Sequence, residues 1–353
     1  MRRKLKTYIL LILSLFLIGC NKKYSGEENV PIDYNYESFS SVTLMESSEG
    51  IVKAYNFAEG KKKYIEDVKG IEDFKYTKDT IVYLKGTSEG NELPDNSLII
   101  RKKGKGLIEV NKHHSYLDIK LSKDGSKVAY RAFEEDSYDS VKGVMIYDVA
   151  ENKEKRINTE VVISGNVYDW IDENNLVYYG SRGKESNLKG LFKYDFKNNK
   201  EDLIAPIEDG FIVYLQALDK ENFMVMNFKR DHYELGIFNI ENKEYNLVES
   251  KISKVFYSLK YEESIFIMAE DINGKSSIYK LESDKSVKRM IYDFPKNIND
   301  SGGMASDENG NVYFLGYDKN KEESKVYMIK KQDNSVNLII DKEGNYHMYK
   351  REL

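Results

Sequence analysis

Residues 121–130 read Leu-Ser-Lys-Asp-Gly-Ser-Lys-Val-Ala-Tyr, and residues 145–153 read Met-Ile-Tyr-Asp-Val-Ala-Glu-Asn-Lys. Asp124-Gly125 supplies the positive φ angles that a tight hairpin turn needs. The Val, Ile and Tyr residues beside the turns favour pleated strands that pack well on one another. The two stretches therefore predict short antiparallel strands joined by polar turns.

This pattern recurs along the chain in steps of 41 to 48 residues. Each copy of the apolar strand and polar turn has one central marker: Tyr55, Ile100, Tyr147, Tyr194, Phe238, Tyr279 or Tyr327. A turn followed by a second strand precedes most markers, at 78–83, 121–130, 170–178, 219–225, 262–267 and 307–313. No segment after residue 20 has a long 3.6-residue apolar period, so helix is not expected.

Each copy has room for about four short strands, and units of this length and strand number are typical of β-propeller blades. The Leu-Ser-Lys-Asp-Gly-Ser-Lys-Val-Ala-Tyr and Ile-Tyr-Asp-Val elements resemble the WD40-like repeats of TolB-type propellers, over roughly residues 40–350. We predict an all-β, seven-bladed β-propeller over residues 38–353, with six or eight blades as alternatives.

The two ends of the repeat region offer two ways to close the ring. The first copy lacks an inner strand, and a spare strand, Tyr346–Lys350, follows the last copy. This strand would complete the first blade by pairing with it. Alternatively, residues 34–40 supply the missing strand and the C-terminal strand is an addition. We favour closure by the C-terminal strand.

Residues 1–20 are a separate element. Residues 2–6 are mostly basic, residues 8–18 are predominantly apolar, and Leu-Ile-Gly-Cys ends at Cys20. This resembles the signal peptide and lipobox of bacterial lipoproteins. The resemblance implies that residues 1–19 are removed, that Cys20 is lipidated, and that residues 20–37 form a polar linker. It places the protein on the extracytoplasmic face of the cell membrane. An uncleaved membrane anchor is the alternative, but a spanning helix needs about 20 apolar residues.

The composition limits the partners. Removing the four basic residues of the signal leaves 50 basic against 59 acidic residues, a net charge of −9. An acidic chain is a poor partner for nucleic acid, and its membrane attachment must come from the lipid. Because Cys20 is the single cysteine, the fold contains no internal disulfide.

Three motifs could carry chemistry, and each has a simpler structural explanation. Residues 86–90 match Gly-x-Ser-x-Gly, but a nucleophile elbow needs a helix after it, and a polar loop follows here. The four histidines, His113, His114, His232 and His347, lack metal-ligand spacing. The stretches 271–274 and 307–311 resemble parts of calcium loops but fit hairpin turns better. We therefore expect no cofactor and no metal.

The remaining signal is aromatic. Rings at a propeller mouth can stack on sugars or bind peptide side chains. His113, His114, Tyr168 and Trp170 lie in predicted loops that precede the inner strands and are our candidate ligand-binding residues. We expect a binding or scaffolding protein whose partner is an envelope protein or a cell-wall glycan. The alternative is a carbohydrate lyase or hydrolase with its site on the propeller axis.

Overall fold

The computed structural model describes residues 39–352, apart from 59, 89, 184–187, 249–250 and 283. The predicted signal peptide, Cys20 and the linker 20–37 lie outside these residues. In this part of the chain nearly all regular structure is antiparallel strand, with a short 3-10 helix at Tyr138–Ser140. Within the described residues, no helix is long and apolar enough to cross a membrane.

Twenty-eight strands follow one another in the described part of the chain. The first three are β1 (Val42–Ser48), β2 (Ile51–Ala58) and β3 (Lys61–Lys69). Sheet 1 contains β4 (Ile71–Tyr76), β5 (Thr80–Ser88), β6 (Asp95–Lys102) and β7 (Gly106–Val110). Sheet 2 contains β8 (Ser115–Leu121), β9 (Lys127–Phe133), β10 (Val141–Asp148) and β11 (Lys153–Arg156). Sheet 3 contains β12 (Val161–Trp170), β13 (Asn175–Arg182), β14 (Leu188–Asp195) and β15 (Lys200–Pro206).

The same order continues to the end of the chain. Sheet 4 contains β16 (Phe211–Ala217), β17 (Asn222–Lys229), β18 (His232–Asn239) and β19 (Glu244–Leu247). Sheet 5 contains β20 (Ile252–Tyr261), β21 (Ser264–Asp271), β22 (Ser276–Leu281) and β23 (Val287–Arg289). The last strands are β24 (Asn297–Ile298), β25 (Met304–Ser306), β26 (Val312–Tyr317), β27 (Ser324–Ile329) and β28 (Val336–Lys350).

The strands at the two ends of the repeat region form one eight-stranded sheet, the closure sheet, which contains β24–β28 and β1–β3. The 15-residue strand β28 joins its two halves. The N-terminal part of β28 pairs with β27, whereas its C-terminal part pairs with β1, from Asn345 opposite Ser47 to Lys350 opposite Val42. Closure by the C-terminal strand is therefore confirmed.

The prediction of seven separate blades needs correction, because the described residues form six hydrogen-bonded sheets. Five of these sheets have four strands and the closure sheet has eight. The physical reason is the length of β28, which passes from the last repeat into the first without a break. The sequence indicated the spare strand but not that it would be continuous with the strand before it.

The predicted repeats all fall on strands. The seven markers lie in β2, β6, β10, β14, β18, β22 and β27, each the third strand of its repeat. Aspartate carboxylates in the turns accept backbone N–H bonds and so stabilise the hairpins, as aspartates at turn positions predict. The Asp172 and Asp219 side chains each accept backbone N–H bonds from the residues two and three positions later.

Apolar clusters between neighbouring sheets hold the sheets in a ring. Val82 and Leu98 of sheet 1 pack with Val128 and Tyr130 of sheet 2 in one cluster. Equivalent clusters join sheets 2 and 3, 3 and 4, 4 and 5, sheet 5 and the closure sheet, and the closure sheet and sheet 1. A further cluster lies within the closure sheet, where β1 and β2 meet β25–β27. Burial of these faces is the main driving force for assembling the ring.

Candidate functional site: the axial channel

The first strand of every repeat borders a narrow cavity of about 140 Å³ at the centre of the ring. One lining residue from each of these strands is Lys75, Lys120, Asp169, Gln216, Ser258, Met304 and Lys350. Because successive side chains of a strand point to opposite sides, residues beside an axial position mostly point toward the packing between sheets. Some of these neighbours, such as Trp170 and Tyr257, also border the cavity.

The channel opens at an upper mouth, toward the N-terminal ends of the inner strands. This mouth is a depression of about 380 Å³ whose lining includes Lys75, Lys120, Asn166, Tyr214 and Tyr257. An adjoining depression of about 770 Å³ shares Asn166, Tyr214 and Tyr257 with it. The upper mouth thus presents half-buried phenol rings beside lysine and asparagine side chains.

The adjoining depression extends outward over an exposed aromatic side chain, Tyr233, which is 41% exposed. The Tyr233 ring lies 4.8 Å from the Phe228 ring, which lies 5.3 Å from the Phe211 ring. Phe211 is also exposed. Aromatic surface therefore continues from the channel onto the face of sheet 4.

Carboxylates at the upper mouth have cationic partners. Asp73 lies 3.3 Å from the Lys75 ammonium, and Asp118 lies 2.5 Å from the Arg131 guanidinium. Burial disfavours the charged form of Lys75, but the nearby carboxylates of Asp73 and Glu352 outweigh it and hold its pKa above the ordinary value. The Lys75 side chain therefore remains a cation at neutral pH.

The phenols of the upper mouth remain neutral at physiological pH. The Tyr214 hydroxyl lies 3.1 Å from the Ser258 hydroxyl. Burial raises the pKa of Tyr214, and the nearby Asp169 carboxylate raises it further. Burial also raises the pKa of Tyr257, where the Asp73 carboxylate adds to the effect. These rings can offer hydrogen bonds and flat apolar surface but no base.

His113 and His114 lie between β7 and β8 and line neither the central cavity nor the upper mouth. His113 Nε2 lies 2.9 Å from Glu154 Oε1, and the His113 ring packs edge-on against Tyr116 at 5.5 Å. His114 Nε2 lies 4.0 Å from Asp136 Oδ1. The structure therefore places both rings within packing around sheet 2.

Tyr168 and Trp170 belong to strand β12 and not to a loop before it, which corrects the sequence interpretation. Both rings are buried between sheets 2 and 3. The Tyr168 hydroxyl donates to the Asp118 carbonyl at 2.7 Å, and the Trp170 indole N–H donates to the Lys120 carbonyl at 3.0 Å. Trp170 also reaches the lining of the central cavity.

The other candidate motifs lie apart from one another. His232 is exposed beside Asp231 and Glu234, whereas His347 is in β28, where burial lowers its pKa. Residues 86–88 end β5, and the next regular element is strand β6, so no helix follows the Gly-x-Ser-x-Gly string. No group of three His, Cys, Asp or Glu side chains suited to a metal occurs among the described residues.

The calcium-like stretch at 307–311 is a hairpin turn. The Asp307 carboxylate accepts the backbone N–H groups of Asn309 and Asn311, both at 2.9 Å. It also accepts the Tyr313 hydroxyl at 2.9 Å. The hydrogen-bonding capacity of this carboxylate therefore serves the turn and the strand beside it.

Sequence reasoning missed the residues that line the axis, although a signal for them exists. In four inner strands, one polar residue stands between two buried apolar residues: Phe74-Lys75-Tyr76, Ile119-Lys120-Leu121, Tyr168-Asp169-Trp170 and Leu215-Gln216-Ala217. The alternation of a strand sends the flanking residues into the packing and the central one toward the axis. This triplet before a turn is a sequence signal for Lys75, Lys120, Asp169 and Gln216, four of the residues that line the axis.

The sequence matches no protein-family profile and no curated protein. Solved structures are similar over 86% of the chain. They include an uncharacterized Listeria monocytogenes protein, lmo1340, with a TM-score of 0.60 at 14% identity over 92% of that protein. The β-propeller domain of the Trilobed protease from Pyrococcus furiosus has a TM-score of 0.57 at 11% identity over 96% of that domain. The fold is a β-propeller.

Dipeptidyl peptidase 4 from Porphyromonas gingivalis is also similar, with a TM-score of 0.55 at 12% identity. The present chain spans about half of that enzyme, 52% of its length. The archaeal propeller is described as having an open velcro topology. In the present propeller, by contrast, β28 pairs with β1 and joins the two ends of the ring.

Proposed function

We propose that this chain is a lipid-anchored propeller of the bacterial cell envelope that binds an envelope protein or a cell-wall glycan at its upper mouth. The observation that carries the proposal is the lining of this mouth. Half-buried Tyr214 and Tyr257, with Asn166 and lysines, form a concave surface in which the carboxylates already have cationic partners. Concave sites with aromatic walls and a few polar groups are typical of ligand binding.

The proposal also assigns two blade positions to the closure sheet. Two observations support this assignment. One half contains β28, β1, β2 and β3, and the other contains β26, β27, β28 and a first strand that is split into β24 and β25, so β28 serves both halves. In addition, Leu44 and Phe57 of one half pack against Tyr313 and Leu315 of the other, as neighbouring sheets do elsewhere in the ring. We also propose, from the sequence of the repeats, that this propeller is TolB-like.

The binding role is tested with the full chain in detergent and two variants, Tyr233→Ala and Tyr257→Ala. We expect the wild-type protein to co-sediment with purified cell-wall glycan or to retain a defined envelope protein. Each variant should weaken that binding about tenfold, because aromatic side chains dominate binding energies at such sites. Tyr64→Ala is the matched control, since Tyr64 is 53% exposed on β3, the outer strand of the first repeat.

The same preparations are assayed with peptide, ester and polysaccharide substrates. We expect no turnover. If the wild type degrades a polysaccharide and Tyr257→Ala abolishes this turnover, the protein is a carbohydrate-active enzyme and the proposed binding role is wrong. Binding that neither mouth variant changes would show that the upper mouth is not the site.

The lipid anchor is tested by Cys20→Ser. Two acyl chains give stable attachment, whereas one gives marginal attachment. We expect the variant to lose lipid labelling and to accumulate as a precursor or leave the membrane fraction. Normal processing and full membrane retention of the variant would contradict the lipoprotein proposal.

A further inference from the structure

The central cavity below the upper mouth carries an excess of positive charge. Its lining includes four lysines, Lys75, Lys120, Lys123 and Lys350, against two carboxylates, Asp169 and Glu352. The whole chain, by contrast, has a net charge of −5. Average composition therefore does not account for the charge of this cavity.

Two of the four lysines have close carboxylate partners. The Lys75 ammonium lies 3.3 Å from Asp73, and that of Lys120 lies 3.8 Å from Asp169. Within the described residues, neither Lys123 nor Lys350 has a carboxylate oxygen within 4.0 Å. Among the described residues, the two cavity lysines without a carboxylate this close thus lie on the turn after β8 and at the end of β28.

The ammonium groups affect one another. Burial lowers the pKa of Lys350, and the charges of Lys123 and Lys120 add to this effect while Glu352 and Asp169 oppose it. Like charges gathered in a narrow space repel one another, and the protein around them screens them less than bulk water does. A bound anion would relieve this repulsion.

We propose that Lys120, Lys123 and Lys350 form an anion subsite in the axial channel, which takes a phosphate or carboxylate group of the ligand. The proposal rests on the proposed function, because it deepens the ligand chemistry of the same channel. A volume of about 140 Å³ is well below the roughly 300–1,000 Å³ of pockets that enclose a drug-sized ligand. This space suits a single anionic group with some water and is too small for a whole sugar chain.

The lysines suit this task. An ammonium group is a compact point charge with three donors, and lysine is a common phosphate ligand. A channel with low-dielectric walls and charge of one sign also concentrates counter-ions. A ligand at the upper mouth could therefore place an anionic group deeper in the channel, between residues contributed by sheet 2 and by the closing strand.

Trp170 provides a direct readout. It is the single tryptophan of the chain, it lines the cavity, and its indole N–H donates to the Lys120 carbonyl. The full chain in detergent is titrated with inorganic phosphate and, separately, with acetate, at constant ionic strength adjusted with chloride. We expect a saturable change in Trp170 fluorescence with at least one of the two anions, and the tighter one identifies the preferred group.

The variants Lys123→Met and Lys350→Met should each weaken anion binding about tenfold, as expected for the loss of one charge-assisted contact. Lys61→Met, at an exposed position on β3, should bind as the wild type does. Melting temperatures of all variants establish that the ring is intact. Absence of a saturable change in the wild type, or unchanged affinity in both cavity variants, would overturn the subsite.

The glycan and protein binding of the upper mouth is measured in parallel. If that binding persists while the wild type gives no response to either anion, the subsite is wrong and the proposed function stands. If the anions bind through the lysines but Tyr233→Ala and Tyr257→Ala leave partner binding unchanged, the site at the upper mouth is wrong and the subsite stands.

Discussion

Sheet 2 and the closure sheet are built from the same kind of strand but from very different parts of the chain. Sheet 2 uses one continuous stretch, from Ser115 to Arg156, whose strands follow one another in sequence. The closure sheet pairs Val42 with Lys350. Bringing such distant residues together costs more chain entropy than forming a local hairpin. The ring therefore consists of locally determined sheets and one sheet that depends on both ends of the repeat region.

The strongest test of this difference removes residues 346–353. The deletion takes away the partner of β1 and the buried side chains of Tyr346 and Met348. Loss of two large buried side chains alone costs several kcal/mol, so we expect a loss of more than about 5 kcal/mol of unfolding free energy. This is a large part of the stability of an ordinary protein. Thermal unfolding followed by circular dichroism measures the effect.

A shorter deletion, of residues 351–353, is the control for this experiment. It keeps every residue pair between β28 and β1. We expect this protein to melt within a few degrees of the wild type. If the longer deletion also melts unchanged, the closing strand contributes nothing to stability and the contrast with sheet 2 is lost.

The second test compares two glycines with similar backbone angles. Gly303 has φ +84°, and a Cβ at this position would lie 2.1 Å from the Met348 carbonyl oxygen of β28. Gly104, in the hairpin of sheet 1, has φ +76° with no atom within 4 Å of such a Cβ. We expect Gly303→Ala to cost about 3 kcal/mol, since the overlap adds to the backbone strain, and Gly104→Ala about 1 kcal/mol.

Urea unfolding of the two glycine variants gives this difference directly. The wild type is measured beside them under the same conditions. Equal losses for Gly303→Ala and Gly104→Ala would mean that the loop before β25 can move away from β28 without cost, so that the closing strand is loosely held.

The smallest effect concerns a charge bridge across the closure sheet. The Glu46 carboxylate of β1 lies 2.8 Å from the Lys62 ammonium of β3 and 2.9 Å from that of Lys342 of β28. Burial opposes the charge on Glu46, but the two lysines outweigh it and lower its pKa from 4.5 to about 2. A lowered folded-state pKa stabilises the protein fully above pH 4.5, and this contribution is lost as the pH falls toward 2.

We expect Glu46→Gln to cost about 1 kcal/mol at pH 7, because solvent screens such pairs. The difference in melting temperature from the wild type should shrink from pH 4.5 downward and nearly vanish near pH 2. Glu134→Gln is the control, since Glu134 pairs with Lys142 on the exposed surface and should change little. A Glu46→Gln difference that does not depend on pH would assign its cause to packing.

The repeats themselves could be predicted because their information is local. Turn aspartates and alternating apolar residues determine each hairpin within about ten residues, as Asp172 and the strand after it illustrate. The irregular first strand of the last repeat, split into β24 and β25, has no such signal. Its two short pieces both pair with β26 and follow from tertiary packing.

The candidate site was harder to predict because its residues are distant in sequence. Lys120 and Lys350 meet in one cavity only because the ring brings β8 and β28 to the same axis. His113 illustrates the opposite error. Its position before an inner strand favoured the channel, but Glu154 and Tyr116 hold its ring in the packing of sheet 2. Whether a side chain faces the axis depends on contacts that a linear pattern does not contain.

The pairing of Val42 with Lys350 also has a consequence during synthesis. About 300 residues separate these two positions. At 5–20 residues per second, β1 waits roughly 15 to 60 s for its partner on the ribosome. An unpaired strand edge invites pairing with another chain, and a charged side chain on the edge discourages it. Glu46 lies on this strand, and its carboxylate is a charge of the kind that discourages such pairing before the ring closes.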